Sequence, residues 1–89
     1  MKAIVTVVGK DQVGIIASVC NTLAASRINV LDISQTIMEG YFTMMMVVDL
    51  TACKAPFDEL RTILKEYGEG RGLSIRIQRE DIFNAMHRI

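Results

Sequence analysis

The sequence predicts a single α+β domain in which a four-stranded antiparallel sheet carries two helices on one face. Three observations support this fold class. The 89 residues suit one domain. Hydrophobic residues make up 51% of the chain and charged residues 22%, which is enough apolar material for a real core. The spacing of the apolar residues changes along the chain between the period of a strand and that of a helix, in the order β-α-β-β-α-β.

The first half of the chain has the pattern of a strand, a helix and a second strand. Lys2–Val8 is rich in β-branched residues on both faces, which predicts a central strand covered on both sides. Asp11 is the expected N-cap of the first helix. From Val13 its apolar residues recur at spacings of three and four, namely Ile16, Val19, Cys20, Leu23 and Ala24. Ile28–Met38 predicts the second strand. Gln35 interrupts its apolar row and indicates either a bulge or a functional polar position.

The second half of the chain continues with a hairpin, a helix and a last strand. Gly40 belongs to a tight turn, and Tyr41–Thr51 alternates between apolar and more polar residues as a third strand. Pro56 is expected in the first turn of the second helix, which glycines from Gly68 onward should break. Gly72–Arg79 alternates cleanly and predicts the fourth strand. With right-handed crossovers, this order favours a ferredoxin-like sandwich.

We divide the chain into a domain over residues 1–80 and a C-terminal helical tail over residues 81–89. Asp81 can cap this short helix, whose apolar stripe consists of Ile82, Phe83, Met86 and Ile89. A helix of two turns is not stable alone in water, so the stripe must pack either on its own sheet or on a neighbouring chain. We expect the tail to help hold a homodimer.

Charge and cysteine content narrow the function classes. Ten basic and ten acidic residues give a net charge of +0, so the chain lacks the long-range field that nucleic-acid and acidic-membrane binders use for capture. No secretory signal or membrane span is recognisable at the start of the sequence, which predicts a cytoplasmic protein. Cys20 and Cys53 are then expected to be reduced thiols, although Cys53 falls in a predicted loop where a reactive thiol stays possible.

The residue inventory argues against catalysis. His87 is the single histidine, with no carboxylate paired to it in sequence and no nucleophile on a glycine elbow. An acylphosphatase-like enzyme is the best catalytic alternative, because Gly9–Gly14 superficially resembles its phosphate loop; Ile15-Ile16 stands where its arginine should follow. The first strand has no aromatic residue to stack RNA bases, and no ligand cluster indicates a metal or any other cofactor.

The loop after the first strand is the remaining candidate site. An Asp cap and free backbone N–H groups make the start of a helix favourable for anions. Gly14, expected inside the first turn, costs about 1 kcal/mol of helix stability relative to alanine. Either Gly14 clears space for the helix to pack on the sheet, or a ligand or another backbone approaches it closely.

Two segments resemble motifs of the ACT domain family. Gly9–Ile16 is similar to the first loop of that family, and Asn29–Gln35 is similar to its second-strand motif. The resemblance covers roughly residues 3 to 79. The ending from Arg79 to Ile89 resembles the tail of small stand-alone bacterial ACT proteins.

The resemblance implies a homodimer, often formed side by side as one eight-stranded sheet, that binds an amino acid or another small metabolite. The ligand would lie between the first loop of one copy and the second strand of the other. The implied ligand-binding residues are Gly9, Asp11, Gly14 and Ile15 on the loop side and Asn29, Val30 and Asp32 on the strand side. Helix-start amides would hold a carboxylate, and Asn29 with an acid, Asp11 or Asp32, would meet an ammonium group. Binding would regulate a partner protein; the alternative is a structural dimerisation module that has lost its ligand site.

Overall fold

The computed structural model describes residues 1–10 and 14–80, which form four strands and two helices. The elements are β1 (Lys2–Lys10), α1 (Ile15–Ala25), β2 (Asn29–Met38), β3 (Tyr41–Asp49), α2 (Phe57–Glu69) and β4 (Leu73–Arg79). The strands form one antiparallel sheet in the order β2-β3-β1-β4. This confirms the predicted ferredoxin-like α+β fold and the central place of β1. Asp11 and the expected tail helix at 81–89 lie outside the described residues.

Alternate residues of the inner strands β1 and β3 and of the edge strand β4 form one core with both helices. Because strand side chains alternate between faces, residues two apart in these strands share the same side of the sheet. The strand residues in the core are Ala3, Val5, Val7, Phe42, Met44, Met46, Val48, Leu73, Ile75 and Ile77. Helix residues of α1 and α2 belong to the same cluster. Both helices therefore cover one face of the sheet, and no other described element covers the opposite face, which is called the open face below.

Helix α1 begins later than the sequence predicts. Its N-cap residue is Gly14, which has a φ of 82°, so the prediction that Asp11 caps the helix is wrong. The buried face of α1 consists of Ile15, Val19 and Leu23. Ile16, which we expected in the buried stripe, is 38% exposed. The sequence offers two adjacent isoleucines, and the actual start of the helix decides which of them enters the core.

Strand β2 forms an edge of the sheet, and its irregularity is not at the predicted position. The register shifts between Val30 and Asp32, whereas Gln35 pairs regularly with Met44. Gln35 therefore marks no bulge. Every residue of β2 from 31 to 38 is exposed, because the helices leave the outer part of this strand uncovered. The edge strand consequently keeps apolar side chains in contact with solvent.

Helix α2 follows Pro56, which is its N-cap residue, and continues through Gly68. The expectation that Gly68 breaks the helix is wrong, since this residue is helical and buried. A Cβ atom at this position would lie 2.6 Å from the carbonyl oxygen of Leu73. Glycine is required there because α2 approaches the backbone of β4 closely. The helix ends at Glu69, with Gly70 as its C-cap.

A hydrogen bond between the hydroxyl groups of Ser18 and Tyr67 links the two helices. Tyr67→Phe is expected to lower the free energy of unfolding by about 1 kcal/mol, because Ser18 loses its partner at a half-buried site. Urea unfolding measures the change. Tyr41→Phe is the matched control, since Tyr41 is exposed on the open face and should tolerate the loss of its hydroxyl. Equal effects of the two substitutions would contradict a role for this bond.

Candidate functional site

The start of α1 and the outer end of the β2–β3 hairpin enclose a shallow groove of about 200 Å³. β1 ends at Lys10 opposite Tyr41, so the chain leaves the sheet beside the hairpin turn. α1 then begins next to that turn. The groove is lined by Gly14, Ile15, Ile16 and Ala17 from the helix start and by Gln35, Ile37 and Phe42 from the strands. This region contains the loop that the sequence marks as the candidate site.

Gly14 is required for its backbone conformation and not for space. Its φ of 82° lies in the left-handed region, where side chains other than glycine are strained. A Cβ atom there would meet no described atom within 4 Å, so the packing explanation is wrong. The residue is also exposed and makes no side-chain cap. It therefore turns the chain into α1.

The first turn of α1 presents backbone donors to the groove. The first backbone hydrogen bond of the helix runs from the Ser18 N–H to the Gly14 carbonyl at 2.9 Å. The N–H groups of Ile15, Ile16 and Ala17 precede it and have no acceptor one turn earlier within the helix. The first turn contains no acidic residue that would compete for them. Such a helix start attracts a negatively charged group.

Gln35 supplies the polar side chain of the groove wall. It pairs with Met44, a core residue, so it lies on the helix-covered side of the sheet. Ile37 lies two residues further on the same side and is 56% exposed. Neither residue was among the predicted ligand-binding residues. The available signal was Gln35 itself, a polar residue that interrupts the apolar row of β2.

The structure brings only part of the predicted loop side together. Gly14 and Ile15 line the groove. Gly9 does not, because it lies within β1 between Phe42 and Leu73. A Cβ atom at position 9 would come within 2.5 Å of Leu73 Cδ2, so strand packing explains this glycine. Asp11 lies outside the described residues.

The predicted strand-side residues lie at the opposite end of β2. Asn29 pairs with Asp49, far along the hairpin from its turn, and Val30 packs against the core. Asp32 is exposed, and its Oδ1 accepts a hydrogen bond from the Ile33 N–H at 2.9 Å. Within one chain, these three residues do not meet the groove. They could reach it only from a second copy.

The same end of the sheet carries a second carboxylate, that of Asp49. Hydrogen bonds from the Thr51 hydroxyl at 2.5 Å and from the Thr51 N–H at 2.9 Å lower the pKa of Asp49 below its usual value. The N-terminal ammonium group lies 3.9 Å from Asp49 Oδ1, the oxygen that accepts both of these hydrogen bonds. Asp49 is therefore ionised at neutral pH and is engaged in closing its own strand end.

A model of the ACT domain family matches residues 2–78. This chain belongs to the ACT domain family. A UPF0237 protein of Listeria innocua is 55% identical over 89 residues, which are 100% of both chains. The solved ACT domain protein from Streptococcus pneumoniae shares 46% identity and a TM-score of 0.84, over 98% of each chain. The predicted resemblance to small stand-alone ACT proteins is confirmed.

A more distant structure shows how widely this fold occurs. The formyltetrahydrofolate deformylase from Pseudomonas putida KT2440 matches with a TM-score of 0.79 at 17% identity, over 91% of this chain and 29% of that chain. At this identity the likeness concerns the fold alone. ACT domains are commonly regulatory and ligand-binding, and they often dimerise.

The described part of this ACT domain offers neither a metal centre nor a membrane span. In residues 1–10 and 14–80, no three His, Cys, Asp or Glu side chains are grouped as metal ligands would be. No helix in the same residues is long and apolar enough to cross a bilayer. Cys20 and Cys53 are free and half-buried. The groove at the start of α1 is thus the feature from which a function can be argued.

Proposed function

We propose that this ACT domain is a non-catalytic regulatory module that binds a small metabolite, of the amino-acid class, at the interface of a homodimer. The observation that carries the proposal is the open groove at the start of α1. There the N–H groups of the first helical turn, which have no acceptor within the helix, lie beside Gln35, an exposed polar side chain on an apolar wall. This arrangement suits a small molecule with a carboxylate and an apolar part.

The groove of a single chain is too small to be a complete small-molecule site. Its volume of about 200 Å³ is below the range of roughly 300–1,000 Å³ that is usual for small-molecule pockets. The ligand carboxylate would bind the amides of Ile15–Ala17. None of the described residues that line the groove is acidic and able to accept an ammonium group. Asp11 or an acid of a second copy would supply that charge.

The uncovered edge of β2 is the surface to which a second copy would bind. Ile33 and Ile37 lie on the helix-covered side of the sheet, opposite Met46 and Phe42, and yet are 41% and 56% exposed. An unpaired edge with apolar side chains favours pairing with another strand. Antiparallel pairing of two β2 edges would extend the sheet to eight strands and bury these side chains.

Two-fold pairing would also reunite the two groups of predicted site residues. Strand β2 runs from Asn29 to Met38, with Ile33 and Ser34 at its middle. With a two-fold axis at one of these residues and perpendicular to the sheet, the end of β2 that carries Asn29 and Val30 in the second copy would lie beside Ile37 of the first. Val30 of the second copy would face the groove side of the sheet, because it pairs with the core residue Val48, whereas Asp32 pairs with Val47 and would lie on the opposite face.

Regulation would follow from a ligand that touches two chains. A molecule bound between two copies stabilises the assembled state by its differential affinity for it. The regulated partner would be a separate protein. We place this function in the cytoplasm, where both free cysteines would stay reduced.

A thermal-shift screen of the standard amino acids tests ligand binding. A ligand at one hundred times its Kd adds about 2.7 kcal/mol to the free energy of unfolding, so its Tm shift should be about 10 °C or more. Gln35→Leu should abolish the shift, because it removes the polar side chain of the groove. Thr36→Leu is the matched control, since Thr36 pairs with Thr43 on the opposite face of the sheet and should keep the full response.

The screen also decides between the two function classes. If no amino acid shifts the Tm of the unaltered protein, the sensing proposal fails and a purely structural dimerisation module is favoured. If a shift survives Gln35→Leu but is lost in Thr36→Leu, the ligand binds elsewhere.

A further inference from the structure

A second and larger groove lies at the other edge of the sheet, between α2 and β4. Its volume is about 530 Å³. The walls include Arg61, Lys65 and Glu69 of α2 and Leu73, Ile75 and Arg76 of β4. A neighbouring depression shares Arg61 and Gln78 with it and extends to the start of α2. Together they follow β4 along its whole length.

Strand β4 is itself an edge. Among residues 1–10 and 14–80 it pairs with β1 alone, through the register from Ala3–Arg79 to Gly9–Leu73. No described strand pairs with its outer side, which carries backbone N–H and C=O groups over seven residues, roughly 23 Å of strand. An extended peptide can add to such an edge through main-chain hydrogen bonds. The groove beside it offers room for the side chains of that peptide.

Positive charge is concentrated at this edge although the chain is neutral overall. Arg61 and Lys65 are one helical turn apart and both line the groove, whereas Glu59 and Glu66 of the same helix do not. Arg61 Nη1 lies 3.7 Å from Asp58 Oδ1, at the end of the groove. Lys65 has no ion pair within the described residues.

Strand β4 adds a cation on the other side of the sheet. Arg76 alternates with the buried Ile75 and Ile77, so it points to the open face, and it too has no ion pair among the described residues. The acids of the two depressions, Asp58 and Glu69, lie towards the ends of α2. The middle of the edge is therefore cationic on both faces.

We propose that the β4 edge binds an extended acidic segment of a partner protein as a fifth strand. Alternate acidic side chains would face Arg61 and Lys65 on the helix side or Arg76 on the open side. The opposite edge, β2, contains no Lys or Arg and one acid, Asp32, so charge selects β4. The two edges are at opposite ends of the sheet, and this binding does not depend on the proposed ligand site.

The test uses the full chain and a fluorescein-labelled nine-residue peptide of alternating glutamate and valine. Fluorescence anisotropy at low salt should show saturable binding. The double variant Arg61→Glu, Lys65→Glu should weaken it at least tenfold. The double variant Lys10→Glu, Lys54→Glu makes the same change of net charge away from the groove and should alter the Kd by less than about twofold. Circular dichroism checks that both variants fold.

Two further measurements separate strand addition from other kinds of binding. The same peptide, N-methylated at every residue, cannot donate backbone hydrogen bonds and should not bind. Equal binding of the methylated peptide, or equal weakening by the two double variants, would overturn the proposal. Displacement by free glutamate at the same carboxylate concentration would also overturn it, since the groove would then be a small-molecule site.

Discussion

Gly68→Ala is expected to lower the free energy of unfolding by at least about 2 kcal/mol. The added Cβ would lie 2.6 Å from the Leu73 carbonyl oxygen and 3.0 Å from Ile75 Cγ1. The first of these atoms belongs to the backbone of β4. This strand is fixed by its pairing with β1, so it cannot move away without disturbing that pairing. Overpacking of this kind costs about 1–3 kcal/mol or more, which outweighs the better helix propensity of alanine.

Gly70→Ala is the matched control, because Gly70 lies two residues further along the chain, at the C-cap of α2. A Cβ at position 70 would come no closer than 3.7 Å to the atoms around it, and the φ of −65° suits any residue. This variant should be as stable as the unaltered protein or gain up to about 1 kcal/mol. Urea unfolding of the three proteins measures the difference. Equal stability of the two variants would show that α2 and β4 are not held at this distance.

The role of Gly68 illustrates what a local pattern can and cannot predict. The order of the elements follows from periods of two and of 3.6 residues, which local sequence carries, and the fold class was therefore predictable. A glycine inside a helical pattern resembles a break, because its low propensity is also local. Its actual reason is the nearby carbonyl of Leu73, a contact made only after the sheet has formed.

The start of α1 shows the same limit at a single residue. Ile15 and Ile16 are equally apolar, so the pattern cannot decide which one is buried. The positive φ at Gly14 fixes the first turn and turns Ile15 inward. Ile16 is thereby left to line the groove.

The candidate site was only partly predictable, because the groove places the start of α1 next to residues of β2 and β3 that are distant in the sequence. The loop residues Gly14 and Ile15 were identified from motif and helix-start chemistry, and they line the groove. Gln35 was noticed as an anomaly but was not assigned to the site. Its position opposite Met44, which places it on the groove side of the strand, depends on the register that the hairpin turn sets.

Ile37→Asp is expected to raise the Kd of the proposed homodimer at least about 100-fold, which corresponds to about 2.7 kcal/mol. Ile37 is 56% exposed in the single chain and would be buried where two β2 edges meet. Burying an unpaired carboxylate in an apolar interface is unfavourable, and a two-fold interface contains the substitution twice. Sedimentation velocity over a range of protein concentrations measures the dimer fraction.

Ser74→Asp introduces the same charge on β4, at the other edge of the sheet, and should leave the dimer fraction unchanged. Both positions are exposed in the single chain, so both variants should retain the circular dichroism spectrum of the unaltered protein. A dimer that persists in Ile37→Asp and is lost in Ser74→Asp would move the interface to β4. It would also leave the start of β2, with Asn29 and Val30, without a route to the groove, because only pairing through β2 brings that end of a second copy beside Ile37.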